Sequence, residues 1–244
     1  MWESDLGRDC IALSIMQLSV ALPCYNEEQN VERTIADVDE WFDAAGIDGE
    51  IIAVDDGSSD RTGEVLARLA TQNPRLRLVS HASNLGYGAA VRSGLDAGAM
   101  EWIAFMDSDG QFRASDFDKL IPYTREAELI TGRRFRRADP LVRRLNAKAF
   151  GVLNRILFGV WVHDINCAMK IIRGSLWSRI RPNVTSGAVF NLELFARTKQ
   201  EGVEWRQVFV NHYRRSAGVQ TGANPRVILR ALQEMLLLRW KLWF

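Results

Sequence analysis

Four short apolar runs punctuate the first half of the chain, each bounded by polar or turn-forming residues. Leu18–Leu22 is closed by Pro23, and Glu50–Val54 runs into Asp55-Asp56-Gly57-Ser58-Ser59-Asp60. Leu76–Ser80 is the third, and Trp102–Met106 ends at Asp107-Ser108-Asp109. Runs this short and apolar predict buried strands. Between them the spacing becomes helical. Val31, Ile35, Val38 and Phe42 mark one face of a helix over 28–44 that Gly46 and Gly49 end. Ser59 or Asp60 can cap a helix over 61–71, and 86–98 reads as a helix of small residues able to pack closely on a sheet. Strand and helix alternating in this way predict an α/β fold, a mainly parallel central sheet flanked by helices. In such sheets ligands bind beyond the carboxyl ends of the strands. The polar clusters 23–27, 55–60 and 107–111 all fall there.

The second half is less regular. It predicts strands over 128–132, at the end of 164–172 and over 208–212, and helices over 141–159, 190–200 and 227–244. No internal repeat or low-complexity linker divides it. The expected organisation is an N-terminal extension (1–15), one domain (16–224) and a C-terminal amphipathic helix (225–244).

Composition sharpens this picture. With 244 residues, 47% hydrophobic and 25% charged, the chain can bury a sizeable core and is neither collagenous nor disordered. A formal net charge of +1 gives no support for a general nucleic-acid binder. Cys10, Cys24 and Cys167 are too scattered for a disulfide framework or a zinc site, so a reducing, cytoplasmic setting is expected. The acids Glu3, Asp5 and Asp9 precede the apolar stretch 11–22, which argues against a signal peptide. No apolar run reaches the ~18–20 residues that span a bilayer.

The charge is unevenly placed. Residues 133–155 hold eight basic residues and the single acid Asp139. Their helical part sets Leu141, Leu145, Val152 and Ile156 along one face, extended by Phe150, Leu153 and Leu157. Such a basic amphipathic helix suits a membrane surface, or else a core helix with a solvated basic side. The C-terminal helix, with Leu236, Leu237, Leu238, Trp240, Trp243 and Phe244 around Arg239 and Lys241, reads as a membrane-interface segment or an oligomer contact.

The candidate chemistry sits in the polar clusters. Asp107 and Asp109 put two carboxylates at the end of an apolar strand, where hard oxygen ligands suit Mg2+ or Mn2+ shared with substrate phosphates. Gln111 can add an oxygen; a capped loop is the plainer alternative. Asp55 and Asp56 can accept hydrogen bonds from a ribose or a base, Tyr25 offers a stacking face and Glu27 another acceptor. Asn84-Leu85-Gly86-Tyr87-Gly88 departs from the dinucleotide glycine motif, because Val91 stands where the third glycine belongs. No P-loop is present in the sequence, which leaves a metal ion as the more plausible holder of a diphosphate.

The ordered set Pro23-Cys24-Tyr25-Asn26-Glu27, Val54-Asp55-Asp56-Gly57-Ser58, Asn84-x-Gly86-x-Gly88 and Asp107-x-Asp109-Gly110-Gln111 strongly resembles glycosyltransferase family two with the GT-A fold. Within it the chain is most similar to the polyprenyl-phosphate group typified by dolichol-phosphate mannose synthase, over about residues 17–221. The resemblance implies inverting transfer of a hexose from a GDP-mannose- or UDP-glucose-type donor to a dolichyl or undecaprenyl phosphate. It implies a nucleotide site of Pro23, Tyr25, Glu27, Asp55, Asp56, Asn84, Gly86 and Asp107. It further implies Mg2+ or Mn2+ on Asp107, Asp109 and Gln111, and reacting phosphates met by Asp109, Arg134, Arg143 and Arg215. The family pattern also matches Asp164 and Cys167, and is departed from at Ala147, Ala168, Asn191 and Gln220. A peripheral position on the cytoplasmic face of a membrane follows, through 141–159 and 225–244, with a homo-oligomer or a separate membrane subunit as options. A phosphate monoester is already anionic and needs no general base, only cationic positioning against the anionic donor. Two other readings remain: the same donor chemistry with a soluble saccharide or peptide acceptor, and a non-catalytic nucleotide-sugar-binding protein.

Overall fold

A computed structural model describes residues 15–135, 141–187, 189–215 and 225–243, with the side chains of 141–149, 225–230 and 243 left undescribed. Residues 1–14 of the expected extension 1–15, and the position Gln220, lie outside the described residues. The expected α/β architecture is observed. Its strands are β1 (Gln17–Cys24), β2 (Asp48–Asp55), β3 (Leu76–Ser80), β4 (Trp102–Met106), β5 (Leu129–Arg134), β6 (Met169–Arg173) and β7 (Trp205–Val210). The helices are α1 (Val31–Ala45), α2 (Thr62–Gln72), α3 (Tyr87–Ala97), α4 (Leu141–Phe158), α5 (Gly174–Ile180), α6 (Phe190–Gln200) and α7 (Pro225–Trp243).

The strands form one sheet in the order β3-β2-β1-β4-β6-β5-β7. β1 pairs in parallel with β2 and β4, β2 with β3, and β5 with β7. β6 alone runs against its neighbours β4 and β5. Six strands therefore deliver their carboxyl ends to one edge, and β6 begins there. The near-continuous burial of β1, β2 and β4 explains why those strands read as unbroken apolar runs: helices cover both faces.

One polar exception to the apolar strands is neutralised locally. Ser19 donates to Glu50 Oε1 at 2.7 Å, and Glu50 also accepts Ala99 N–H at 2.7 Å and Arg77 Nη1 at 3.1 Å. Burial works to raise the Glu50 pKa, but these three donors outweigh it and hold the carboxyl below its ordinary value.

Several boundaries differ from the sequence expectation. α1 starts at Val31 because 27–30 forms a turn, with the N–H groups of Asn30 and Val31 both donating to Glu27 O. The third strand of the second half spans 205–210 rather than 208–212. Helix α5 and two short 3-10 helices, Ala114–Lys119 and Ile121–Arg125, were not expected. The expected apolar face of 141–159 divides. Phe150, Leu153 and Leu157 pack against the core and Phe158 is buried, while Val152 and Ile156 point outward. α7 divides in the same way: Met235 and Leu238 are buried, whereas Leu232, Leu236 and Trp240 are exposed at four-residue spacing. None of the described helices is long and apolar enough to cross a membrane.

The small residues of α3 do bring it close to the sheet. A Cβ on Gly94 would lie 2.7 Å from Ala21 Cβ and 3.1 Å from Val54 Cγ2. Adding a side chain must lift α3 from β1 and β2, and overpacking of this kind costs about 1–3 kcal/mol. Gly94→Val is accordingly expected to lower the unfolding free energy measured by urea titration by that amount; an unchanged value would contradict the packing.

Candidate active site at the carboxyl edge of the sheet

Three turns at the carboxyl edge are clasped to one another before any ligand is considered. After β1, Asn26 adopts the left-handed conformation (φ 56°), which asparagine tolerates better than most residues. Its Oδ1 accepts Ser59 N–H at 2.8 Å, and its own N–H donates to Ser58 Oγ at 3.0 Å. After β2, Gly57 takes φ 67°, and a Cβ there would meet the Ser83 backbone at 2.4 Å. After β4, Ser108 donates to Pro23 O at 2.7 Å, tying the Asp107–Asp109 turn to β1.

The acidic residues divide by orientation. Asp55 caps its own turn by accepting Ser58 N–H at 3.0 Å. Asp56 is buried and turned inward: it accepts the N–H groups of Leu85 and Gly86, each at 2.9 Å, and meets His81 Nδ1 at 2.7 Å. Asp56 thus fixes the 84–86 loop, with Asn84 exposed at its tip. Gly86 precedes α3, but the first amides of that helix are engaged. The N–H groups of Gly88 and Ala89 donate to Ser186 O at 2.8 and 3.3 Å. The glycine segment is a loop–helix junction closed by the 181–187 loop, not an open phosphate cradle.

Glu27, Asp109 and Arg215 come together although they are far apart in sequence. Arg215 bridges the other two, pairing with Glu27 Oε1 and reaching Asp109 Oδ2 at 3.5 Å. Glu27 also accepts Asn30 Nδ2 at 2.7 Å, and its backbone N–H donates to Thr62 Oγ1 at 2.8 Å. Burial pushes its carboxyl above the ordinary range, opposed by Asn30 and Arg215 and reinforced by Asp109. Gln111 brings the C-terminal segment to this cluster: its Nε2 donates to Tyr213 O at 3.2 Å, and Tyr213 N–H donates to Gln111 O at 2.9 Å. Tyr25 is exposed beside the same edge.

Asp107 is the most perturbed acid of the group. Burial and the neighbouring charge of Asp109 push its carboxyl up to about 7, against the hydrogen bond from Tyr87 and the positive charges of Arg134 and Lys170. Two carboxylates that resist joint ionisation, on an edge where a diphosphate can approach, form a donor set that fits Mg2+ or Mn2+. Among the described residues no three acidic, histidine or cysteine side chains cluster as a complete cage.

Arg134 sits across the edge, bound by Asp164 through Nε and Nη2, both at 2.7 Å, with the Arg134 N–H adding a third bond at 3.1 Å. Beneath it the fully buried Lys170 donates to Ile165 O at 3.3 Å and to Cys167 O, and its ammonium lies 5.1 Å from the Phe105 ring centroid. Burial pushes Lys170 down to about 8. Arg143 lies on α4, its side chain outside the described part of the structure. Asn26, Tyr87, His81 and Lys170 were missed as site residues by sequence reasoning. Asn26 and Tyr87 lay inside motifs that could have drawn attention to them, whereas His81 and Lys170 did not.

A surface depression of about 420 Å³ between Met16, Ile47 and Pro122 lies at the opposite, amino end of β1 and is remote from these carboxylates.

Comparison with known proteins gives the family and the fold. The model of glycosyl transferase family 2 matches residues 19–196. The chain belongs to that family. It is 30% identical over 238 residues to a dodecaprenyl-phosphate galacturonate synthase of Rhizobium johnstonii, covering 93% of this chain and 68% of the relative. It is 28% identical over 239 residues to a polyprenol monophosphomannose synthase of Mycolicibacterium smegmatis, covering 92% and 89%. The chain spans about half the length of two undecaprenyl-phosphate 4-deoxy-4-formamido-L-arabinose transferases of Pectobacterium that it also matches. Glucosyl-3-phosphoglycerate synthase from Mycobacterium tuberculosis, crystallised with Mg2+ and UDP, superimposes with a TM-score of 0.72 at 20% identity, over 92% of this chain and 79% of that one. This likeness shows the shared GT-A fold.

The raised pKa of Asp107 has a stability consequence. The folded state holds its proton to higher pH than the unfolded state does, so this group costs stability as pH rises from the ordinary carboxylate range towards 7. Without divalent cations, Asp107→Asn is expected to raise Tm most at about pH 8, less near pH 5 and little near pH 3. A variant less stable than the parent at the higher pH would contradict the repulsion.

Proposed function

We propose that this chain is a metal-dependent, inverting transferase that moves a hexose from a nucleoside-diphosphate sugar to a polyprenyl phosphate at a membrane surface. The observation that carries this reading is the convergence of Glu27, Asp107, Asp109 and Arg215 on the carboxyl edge. Relatives whose names specify polyprenyl-phosphate synthases support the acceptor class, and a fold neighbour crystallised with Mg2+ and UDP supports the donor class.

In this reading Tyr25 stacks on the base, Pro23 and the Asn84–Gly86 loop border the nucleoside, and Asp55 and Glu27 accept its hydrogen bonds. Asp56 keeps the loop in place. Asp107 and Asp109 hold Mg2+ or Mn2+, with Gln111 as the remaining oxygen donor. When bound, the cation neutralises the charge that grows on the departing nucleoside diphosphate. Arg215, already lodged between two acids, supplies a guanidinium to phosphate oxygens without crossing the site. Arg134, oriented by Asp164, meets the acceptor phosphate, and Arg143 is assigned to the same phosphate by its place in the family pattern. That phosphate attacks the anomeric carbon as an anion, so no proton has to be removed. Two anions are brought together only because cationic groups hold them in line. The outward residues Leu232, Leu236, Leu237 and Trp240 of α7, with Val152 and Ile156 of α4, support contact with lipid, where the polyprenyl tail stays.

Formation of lipid-linked sugar from UDP- and GDP-hexoses with Mn2+ or Mg2+ tests the reading. Asp109→Ala is expected to lose at least about a hundredfold in turnover, the scale of removing one electrostatic stabiliser. Undiminished activity in that variant, or in excess EDTA, would contradict the metal role. Turnover on a soluble sugar with none on polyprenyl phosphate would favour the soluble-acceptor reading.

A further inference from the structure

A strip of exposed aromatic and basic side chains runs from the rim of the site down the β7 side of the molecule. Alternation along β5 sends Arg134 inward to Asp164 and Arg133 to the opposite face. There Arg133 lies 4.8 Å from the Phe209 ring centroid, and Phe209 meets Phe135 edge-on at 5.7 Å. Gln207, on the same face of β7 as Phe209, accepts His163 N–H at 2.9 Å. His163 in turn packs edge-on against Trp161 at 5.8 Å, and Arg155 lies over the Trp161 ring at 4.3 Å. Phe135, Phe209 and Trp161 are each half exposed or more, at 50%, 53% and 53%. Their rings are held by neighbours while their apolar faces stay in water. Single exposed apolar residues are ordinary, but three aromatic rings joined through stacked arginines form a connected surface.

We propose that this strip docks the protein on an anionic bilayer, with Phe135, Phe209 and Trp161 at the headgroup–acyl boundary and Arg133 and Arg155 among the headgroups. The charge favours that occupant: residues 133–155 contain eight basic residues and one acid, and aromatic rings beside arginines suit the polar–apolar boundary. The proposal rests on the polyprenyl-phosphate reading and deepens it. Arg133 and Arg134 are consecutive and point to opposite faces of β5, so docking through Arg133 brings the lipid surface to the rim that Arg134 lines from within.

The test is flotation of the full chain with vesicles of phosphatidylcholine alone or mixed with phosphatidylglycerol. The unaltered chain is expected to float with the mixed vesicles and to be released by salt. Arg133→Gln with Arg155→Gln is expected to weaken that binding by about fivefold per arginine, the scale of one basic residue at an anionic surface. Trp161→Ser with Phe209→Ser is expected to reduce binding to both vesicle types. These two side chains are exposed, so that variant should keep its Tm and its turnover on polyprenyl phosphate in detergent. Variants that float like the unaltered chain would overturn the proposal, as would an unaltered chain that does not float. Normal flotation with loss of a protein complex in the variants would also overturn it and assign the strip to a protein partner. If the unaltered chain floats, with strip variants impaired, but gives no turnover in detergent, the acceptor reading fails and the docking surface stands.

Discussion

Two carboxylates at the end of one buried strand repel each other, and burial adds to the cost of ionising both. Asp107 and Asp109 are in that position, and Glu27 adds a third acid a short distance away. The surrounding structure answers the problem with Arg215, drawn in from the far end of the chain to bridge Glu27 and Asp109. A site so arranged is poised for exchange. In the proposed reading a divalent cation and the diphosphate it accompanies would take over the neutralisation that the arginine provides, leaving its guanidinium near the phosphates.

The fold makes this concentration of charge possible by making its loops rigid. Asn26 grips the turn after β2, Asp56 grips the 84–86 loop, Ser108 ties the β4 turn to β1, and Gln111 ties the segment before Arg215 to the same turn. Across the edge, Lys170 supports the 164–167 turn that presents Asp164 to Arg134. The first three of these contacts, and those of Lys170, commit a polar side chain to backbone positions. That is how a row of loops becomes a preorganised surface.

Much of the fold was legible because its signals are local. The apolar runs at 18–22, 50–54 and 102–106 are buried on both faces, and their polar endings mark the carboxyl edge directly. The direction of β6 was not legible, since a short apolar strand looks the same read either way. Helix α5 was missed because Gly174–Ile180 is too short to show a helical period. The division of α4 and α7 into inward and outward apolar stripes depends on how much surface the core can cover, which no periodicity records. In the candidate site, acids at strand ends could be read from the sequence. The inward turn of Asp56 onto Leu85, Gly86 and His81 could not, because its partners lie up to thirty residues away.

The near-neutral total charge conceals a separation along the chain. Acids gather where a cation and a nucleotide are proposed to bind, and the basic surplus of 133–155 begins at the neighbouring strand end. The central claim is that Asp107 and Asp109 share a divalent cation with a nucleoside diphosphate. Anomalous scattering from Mn2+ in crystals grown with UDP or GDP tests it most directly. The account predicts a peak within coordination distance of both carboxylates and of the diphosphate oxygens. A nucleotide bound at this edge with no peak beside Asp107 and Asp109, or with the peak on other residues, would contradict it.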